Sequence, residues 1–493
     1  MPINARSLTC FVLAWCASSL SGAASLTVSE MYSDGAVLQR DKPVRVWGGA
    51  SPGARIDVAF AGGQASTRAS STGEWLVELA SLPASSEPRE LLVKSSSGEA
   101  RKFSDILVGD VWVVGGQSNM ELRLVHTVDG QYALDNAENP KLRLFMARQA
   151  CSATPRSDAD PAWRYEGKPQ AWLSSVRWSA NRFGAVGWYM GAELQRSLGV
   201  PIGVVQVAVG GTRIEAWTPR AAFQGNDDFR RDREWLERAE RALQRAPESD
   251  HPTGVPANPG EWYGAPTCFY NGMVSGLVNY QIRGLAWYQG EANVAEAELY
   301  DRRLDAFVVA MRKVWRDPAL PIALVQVAPF AYPDPDGLPL IWQAQLRTSA
   351  ARGLALIPVS DLVEDVNDLH PRNKYEIGRR LQRWAVSLDS GQGDLNWGGP
   401  VYRKHVAEGS SIRVYFNRAP GLFTRFGGPV TGFQLSGDGT TFVDAEARID
   451  GETVIVMAAA VDSPRAVRYA WKPTARPTLM NGAGLPAIPF SAN

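Results

Sequence analysis

Nearly continuous apolar runs alternate with helical patterns in the middle of the chain. Five short runs lack the polar alternation of a strand that has one face in water. Between them, apolar positions recur at helical spacing, as in the stripes that begin at Tyr300 and Ile377. The pattern predicts an α/β domain over residues 106–390, with a parallel sheet that helices cover on both faces. The five predicted strands are 111–114, 204–209, 285–288, 322–325 and 356–359.

Shorter, alternating runs broken by Gly, Pro and Ser flank this region on both sides. Residues 25–105 show them, and they return over residues 391–493. Such punctuation is typical of all-β structure, so we expect an N-terminal and a C-terminal module of β-sandwich type. A charged helical stretch followed by a Pro/Gly-rich loop, at about 220–262, predicts an insertion near the working face of the central domain.

The first 24 residues have the features of a secretory signal peptide. Arg6 gives a positively charged start, residues 8–20 are apolar but too short for a membrane span, and small residues at 21–24 offer a cleavage site. No later stretch is long and apolar enough for a membrane helix. We therefore expect a periplasmic or secreted protein that is not inserted in the membrane after signal cleavage.

Charge and residue usage narrow the class of function. The 493 residues carry 51 Lys and Arg against 51 Asp and Glu, without the basic surplus that is usual in nucleic-acid binders, so we expect no nucleic-acid partner. The chain has only four His, none spaced from another as metal ligands, and we expect neither a metal nor another cofactor. After signal cleavage Cys151 and Cys268 remain, either as a disulfide or as two buried thiols.

Two Gly-rich segments follow predicted strands, where the ligands of open parallel sheets bind. Ser118 comes directly after Gly115, Gly116 and Gln117 and is either a nucleophile or the capping residue of a turn. Gly210 and Gly211 follow the next run, and paired glycines let backbone N–H groups approach a ligand. They form either an oxyanion hole or an ordinary turn between a strand and a helix.

Two polar segments complete the candidate chemistry. Gln289, Glu291 and Asn293 end a third strand and could donate to an oxyanion or bind sugar hydroxyls, unless they form a solvated loop. Asp368 precedes His370 by two residues and could orient its ring, although such a pair is often incidental. The order Ser, Asp, His is that of one known triad.

Together the four segments predict acyl transfer on one α/β unit. His370 takes the proton of Ser118 as its oxygen attacks an ester carbonyl, and Asp368 steadies the imidazolium. The backbone N–H groups of Ser118 and Gly211, with a side-chain donor, stabilise the tetrahedral oxyanion.

The motifs around Ser118, Gly211, Gln289 and His370 resemble those of the sialate O-acetylesterase family, whose members are carbohydrate acetylesterases of the SGNH-hydrolase fold. The resemblance implies a flavodoxin-like catalytic domain, Ser118 as the nucleophile and His370 as the base. It also implies Gly211 as an oxyanion donor and Gln289 where the wider superfamily uses Asn.

The sequence departs from the family pattern at the acidic residue that orients the catalytic His. The wider superfamily has an Asp three residues before the His, and here that position is Asn367. Asp368 is our candidate, with Asp365 and Asp361 as stand-ins. On the sugar side we expect Arg213, Glu215 and Glu291, with Arg213 able to bind a carboxylate.

We therefore expect a serine esterase that removes acetyl groups from an O-acetylated oligosaccharide or polysaccharide. The substrate is left open between sialic acid and plant-wall polymers such as xylan or xyloglucan, because Arg213 suits the first and the 17 Trp residues suit the second. A non-catalytic carbohydrate-binding protein is the alternative. A lipase or peptidase is disfavoured, since Ser118 is not in a G-x-S-x-G turn.

Overall fold

The computed structural model describes residues 25–165, 168–245, 265–390 and 396–493. The predicted signal peptide at 1–24 and the end of the predicted insertion, 246–262, lie outside these residues. Within the described parts of the chain, no helix is long and apolar enough to cross a membrane. Cys151 and Cys268 form a disulfide, with 4.7 Å between their Cα atoms. This decides between the two states that the sequence leaves open for them.

The N-terminal strands connect directly to the central sheet through one long strand. The strands β1, β3 and β6 form a separate three-stranded antiparallel sheet, whereas β2, β4, β5 and β7 join the sheet that contains β8. The predicted boundary at 105/106 thus lies inside β8. The bounds are β1 (Thr27–Val28), β2 (Val37–Gln39), β3 (Val44–Gly49), β4 (Arg55–Phe60), β5 (Gly63–Arg68), β6 (Glu74–Leu79), β7 (Ser85–Ser95) and β8 (Ala100–Gly116).

The middle of the chain supplies the other strands of the central sheet. They are β9 (Asn139–Met146), β12 (Trp172–Ser175), β13 (Ile202–Ala208), β14 (Gly284–Tyr288), β15 (Ile322–Val325) and β16 (Ala355–Ile357), with the separate hairpin of β10 (Arg164–Tyr165) and β11 (Lys168–Pro169). Each of the five predicted runs coincides with a strand of the central sheet, although 204–209 and 356–359 extend one and two residues beyond the ends of β13 and β16. The last strand ends at Ile357 because Pro358, which lacks an N–H donor, follows it.

The helices lie between these strands. They are α1 (Ser118–Glu121), α2 (Gly130–Asp135), α3 (Arg177–Arg182), α4 (Ala185–Leu198), α5 (Arg230–Arg245), α6 (Ala297–Val314), α7 (Gly337–Arg352) and α8 (Lys374–Ser390). Short 3₁₀ turns are Leu124–His126, Ile214–Trp217, Arg220–Phe223, Asp227–Phe229, Ser275–Leu277, Glu291–Glu296 and Ser360–Leu362, and Tyr270–Val274 is a π turn. The described part of the predicted insertion thus contains the expected charged helix, α5.

The central sheet is parallel from β9 to β16, as predicted. Five strands run in the order β13-β8-β14-β15-β16, with β9 and then the antiparallel β12 added beside β13. In chain order these five strands read 2-1-3-4-5, the doubly wound order of flavodoxin. That order reverses direction at β8, so a crevice is expected beyond the carboxyl ends of β8 and its neighbours.

The sheet is buried on both faces. Val111 and Val113 of β8 face the core to which α6 and α7 contribute, while Trp112 and Val114 face the core formed with α4 and α8. Burial on both faces explains why the strands read as continuous apolar runs in the sequence.

The C-terminal strands form three antiparallel groups. Two four-stranded sheets have the orders β17-β18-β23-β22 and β21-β20-β24-β26, and β19 pairs with β25. The bounds are β17 (Val401–Glu408), β18 (Ser411–Asn417), β19 (Phe423–Thr424), β20 (Phe433–Ser436), β21 (Val443–Asp444), β22 (Glu446–Asp450), β23 (Thr453–Met457), β24 (Ala466–Tyr469), β25 (Leu479–Met480) and β26 (Phe490–Ala492).

Candidate active site

A glycine at the end of β8 turns the chain toward the crevice. Gly116 has φ +139°, and a β-carbon there would lie 2.0 Å from the carbonyl oxygen of Tyr288 on β14. Only glycine permits this conformation and this close approach. Ser118 follows at the start of α1, so its side chain is placed at the carboxyl edge of the sheet where the strand order reverses.

Ser118 and His370 meet at this edge although 252 residues separate them. Ser118 Oγ lies 2.8 Å from Nε2 of His370, so the hydroxyl can donate to an unprotonated ring nitrogen. Both side chains are half-buried. Burial lowers the pKa of His370 and the charge of Lys374 lowers it further, while Asp368 opposes both effects. The imidazole is therefore kept neutral, as a general base must be.

The acid is placed differently from the simple triad expectation. Asp368 Oδ1 accepts a hydrogen bond of 2.8 Å from the backbone N–H of His370, and none joins its carboxylate to the His370 ring in the described chain. Asp368 thus fixes the backbone of the base and acts on its ring through charge. Of the two stand-ins, Asp365 accepts from Asn367, and Asp361 is held by Arg380 through two bonds of 2.7 and 2.8 Å.

Two backbone N–H groups are free for an oxyanion. The Ser118 amide lies in the first turn of α1, where amides lack intrahelical partners. Gly211 has φ +72°, and neither amide has a hydrogen-bond partner among the described residues. The neighbouring Gly210 amide donates to Glu121 Oε2 over 2.7 Å, which fixes the turn next to Ser118. A β-carbon on Gly210 would lie 3.3 Å from that of Ser118.

The structure does not place Gln289 as the side-chain oxyanion donor that the resemblance implies. It is fully buried, and its amide nitrogen donates to the Thr212 carbonyl over 3.1 Å and to Asn293 Oδ1 over 2.7 Å. Both of its N–H hydrogens are therefore used inside the protein. Tyr300 donates its hydroxyl to the Gln289 backbone carbonyl over 2.9 Å. In this arrangement Gln289 supports the Gly210–Thr212 turn and has no N–H left for substrate.

The predicted sugar-side residues separate into exposed and buried members. Glu215 is 2% exposed and pairs with Arg303 over 2.6 Å, so it lies inside the protein and cannot reach a sugar. The side chain of Arg213 is 26% exposed and forms salt bridges with Glu215 and Glu296. Arg213 alone of these residues stays within reach of solvent. Glu215 is needed inside because it compensates the buried charge of Arg303.

Glu291, the third predicted sugar ligand, belongs to a buried network below the serine. Its Oε1 accepts a 2.6 Å hydrogen bond from Asn119, whose amide also donates to the Leu369 carbonyl over 3.0 Å. Lys374 completes the network by donating to Asn119 Oδ1 over 2.6 Å. Asn119 and Lys374 are fully buried and Glu291 is 7% exposed. The network ties the residue after Ser118 to the residue before His370.

Burial shifts the pKa values of Lys374 and Glu291, the two ends of this network, in the directions that favour their neutral forms. It lowers the pKa of Lys374 to about 7 and raises the pKa of Glu291. The sequence did not indicate Asn119 and Lys374 as members of the site. Asn119 stands beside the nucleophile, which is a weak signal, whereas a lysine in the first turn of a helix ordinarily indicates an exposed residue.

Comparisons with known proteins give one family. A family profile described as carbohydrate esterase, sialic acid-specific acetylesterase, matches residues 108–249 and 258–386. The sialate O-acetylesterase of Rattus norvegicus is 25% identical over 404 residues, which cover 75% of this chain and 74% of that relative. The Homo sapiens enzyme of the same name is 24% identical over 412 residues, covering 75% and 72%.

A solved structure matches nearly the whole chain. The crystal structure of a carbohydrate acetylesterase from Xanthomonas citri superposes with a TM-score of 0.81 and 33% sequence identity. The match covers 95% of this chain and 99% of that one. Both flanking groups of strands thus lie within the matched length.

Proposed function

The chain belongs to the carbohydrate esterase family of sialic acid-specific acetylesterases, and from that premise we propose that it hydrolyses acetyl esters on sugar hydroxyls through Ser118 and His370. It is a carboxylic ester hydrolase, as the family and its acetylesterase relatives are. Membership of an esterase family removes the alternative of a non-catalytic carbohydrate-binding protein. The observation that carries the proposal is the 2.8 Å distance between Ser118 Oγ and His370 Nε2 at the carboxyl edge of the sheet.

In the first half-reaction Ser118 Oγ attacks the acetyl carbonyl carbon while His370 Nε2 accepts the hydroxyl proton. The carbonyl oxygen becomes negative and receives hydrogen bonds from the backbone N–H groups of Ser118 and Gly211. The C–O bond to the sugar then breaks, and the imidazolium gives its proton to the departing sugar oxygen. Asp368, bound to the His370 backbone, stabilises the imidazolium through its charge.

In the second half-reaction water replaces the sugar. His370 takes a proton from this water, whose oxygen attacks the acetyl-Ser118 carbonyl and forms a second oxyanion at the same two amides. The bond to Ser118 breaks, acetate leaves, and the imidazolium returns the proton to Ser118 Oγ. Each group is then in its starting state.

Several finer features belong to the same proposal. The strand order 2-1-3-4-5 supports an SGNH-hydrolase type of catalytic domain, with β-sandwich-type modules on either side. The disulfide between Cys151 and Cys268 supports a periplasmic or secreted location, since disulfides persist in oxidising compartments. The relatives are named for sialate, and the natural substrate of this chain is proposed only as an O-acetylated oligosaccharide or polysaccharide.

Acetate release tests the proposal. The wild-type protein is expected to hydrolyse 4-nitrophenyl acetate and O-acetylated saccharides, and Ser118→Ala to lower kcat by at least about 1,000-fold, because the triad acts as a unit. Ser33→Ala, at a partly exposed serine of the N-terminal region, is the control and should retain full activity. Equal activity of Ser118→Ala and wild type would overturn the assignment of the nucleophile.

A further inference from the structure

A cleft of about 570 Å³ borders the catalytic edge at Glu121, three residues after Ser118, and is not used by the chemistry described above. Its volume is in the range of about 300–1,000 Å³ that is usual for small-molecule sites. Residues from the end of β9, from α3 and from the turn after Ser118 line it. They include Glu121, Arg123, Gln149, Trp163, Trp178 and Arg182. We call it the Trp178 cleft.

Glu121 forms the wall that the Trp178 cleft shares with the catalytic edge. Its Oε2 accepts from the Gly210 amide over 2.7 Å, and its Oε1 accepts from Gln149 over 2.8 Å. Glu121 follows Ser118 by three residues on α1, close to one helical turn of about 5.4 Å. When the acetyl ester of a sugar is bound at Ser118, the Trp178 cleft is therefore open to the sugar ring that is linked to it.

The cleft offers an exposed aromatic surface. The Trp178 side chain is 49% exposed, which is unusual for the largest apolar side chain, and Trp163 lies against it with 6.4 Å between ring centroids. Trp163 itself is 5% exposed and its indole N–H is buried, so Trp178 supplies the exposed ring. Flat indole rings with one N–H donor suit the apolar faces of sugar rings.

Unpaired positive charge gives the cleft its second property. Arg182 lies over the Trp178 ring, 4.2 Å from its centroid, and Arg123 is exposed at the same cleft. Within the described chain, neither guanidinium forms a salt bridge. Arg148, the third guanidinium of the cleft, is paired with Asp160. Arg182 Nη1 donates to the Trp178 backbone carbonyl over 3.2 Å. The other N–H groups of Arg182, and the guanidinium of Arg123, are thus available for a carboxylate.

From this combination we propose that the Trp178 cleft binds a carboxylate-bearing sugar linked to the acetylated sugar. One indole ring stacks on this sugar, and Arg123 and Arg182 bind its carboxylate. The natural substrate is then an acidic oligosaccharide or polysaccharide, and the charge lies on the neighbouring ring. This inference rests on the proposed esterase function and specifies its substrate.

Matched substrates and variants test the cleft. The substrates are an O-acetylated xylo-oligosaccharide with one uronate substituent next to the acetylated unit, the same oligosaccharide without the uronate, and O-acetylated sialic acid. The kcat/KM of the wild type should be at least tenfold higher on the uronate oligosaccharide than on the oligosaccharide without the uronate, because of a lower KM. This preference should weaken with added salt. The double variant Arg123→Ala/Arg182→Ala should abolish the preference, and Trp178→Ala should raise KM on both oligosaccharides.

Controls come from residues that do not line the cleft. Arg177→Ala removes one charge from the same helix as Arg182, and Tyr132→Ala removes an exposed aromatic ring nearby. Both should leave the preference within twofold of wild type. Absence of a uronate preference in wild type, or its retention in the double arginine variant, would overturn the inference.

A binding measurement separates failure of the cleft from failure of the function. Calorimetry with Ser118→Ala and the uronate oligosaccharide reports binding even if the nucleophile is elsewhere. If the two arginine substitutions abolish this binding, the proposed role of the cleft is supported independently of the nucleophile. If they leave the binding unchanged, the proposed role of the cleft is overturned, and acetate release still tests the esterase function. Circular dichroism of each variant verifies that it is folded.

Discussion

At the residue scale, the pKa of His370 depends on the charge of a buried lysine beside the Ser118–His370 pair. Lys374 sits fully buried, donates to Asn119 and lowers the pKa of His370. Because the base that we propose is the neutral imidazole of His370, we expect Lys374 to extend activity toward lower pH. Glu291 at the other end of the network has an oxygen without a partner among the described residues. Its raised pKa is the consequence of that burial.

Replacing this lysine should change the pH profile. In Lys374→Met the pKa of His370 rises, so the acid limb of kcat/KM should move to higher pH, and activity should fall more at pH 5 than at pH 8. Loss of the bond to Asn119 should also cost about 1–3 kcal/mol in the free energy of unfolding. The measurements are hydrolysis of 4-nitrophenyl acetate across pH and urea unfolding.

A lysine far from the site provides the control. Lys404→Met removes the same charge from an exposed position on β17 and should leave the pH profile unchanged. A folded Lys374→Met protein with the wild-type acid limb would show that Lys374 does not act on His370.

The sequence predicted part of this site. Ser118, His370 and the turn at Gly210–Gly211 could be found because each follows a strand or stands in a polar motif beside a helix. The inward positions of Glu215, Glu291 and Gln289 could not be found, because a polar residue after a strand has the same signature whether it faces a ligand or a buried partner. The packing of α6 against this edge decides for Glu215 and Gln289, and the partner Asn119 on α1 decides for Glu291.

At the element scale, β8 connects the N-terminal strands to the central sheet, which the sequence predicted as separate domains. Its 17 residues pair with β7 at one end and with β13 and β14 at the other. The sequence predicted only residues 111–114 of this strand, from their apolar run. A strand that pairs with different partners at its two ends has no local sequence signal. The bends and close approaches at its carboxyl end depend on glycine.

Gly116→Ala tests that dependence. A β-carbon there would strike the Tyr288 carbonyl and would require a backbone conformation that L-residues rarely adopt, so we expect a loss above about 4 kcal/mol in the free energy of unfolding. Gly63→Ala on β5 is the control, because a β-carbon there meets its nearest atom at 3.5 Å. It should cost no more than about 1 kcal/mol. Similar losses in the two variants, in urea unfolding, would contradict the account.

At the scale of the whole molecule, the C-terminal strands support the loop that carries His370. Arg425 donates to the Asp361 carbonyl over 3.0 Å, and Arg476 donates to the Glu364 carbonyl over 2.7 Å. The sequence predicted a C-terminal module but gave no indication that it contacts this loop, because long-range contacts of arginine side chains have no sequence pattern. The C-terminal module therefore contacts the loop that carries the proposed base, His370.

Removing both contacts should lower turnover. We expect Arg425→Ala/Arg476→Ala to reduce kcat about five- to tenfold, because His370 is held less firmly, with only about 1–2 kcal/mol lost in the free energy of unfolding. Arg403→Ala, an exposed arginine on β17, should change neither quantity. Unchanged kcat in a folded double variant would show that the loop needs no support from the C-terminal strands.

Covalent labelling tests the central claim most directly. An activated organophosphonate ester should add once to the wild-type protein, and mass spectrometry should locate the adduct on Ser118 Oγ. His370→Ala should be labelled at least about a hundredfold more slowly, because its general base is absent. An adduct on another residue, or equal labelling of Ser118→Ala and wild type, would contradict the assignment of Ser118 as the nucleophile.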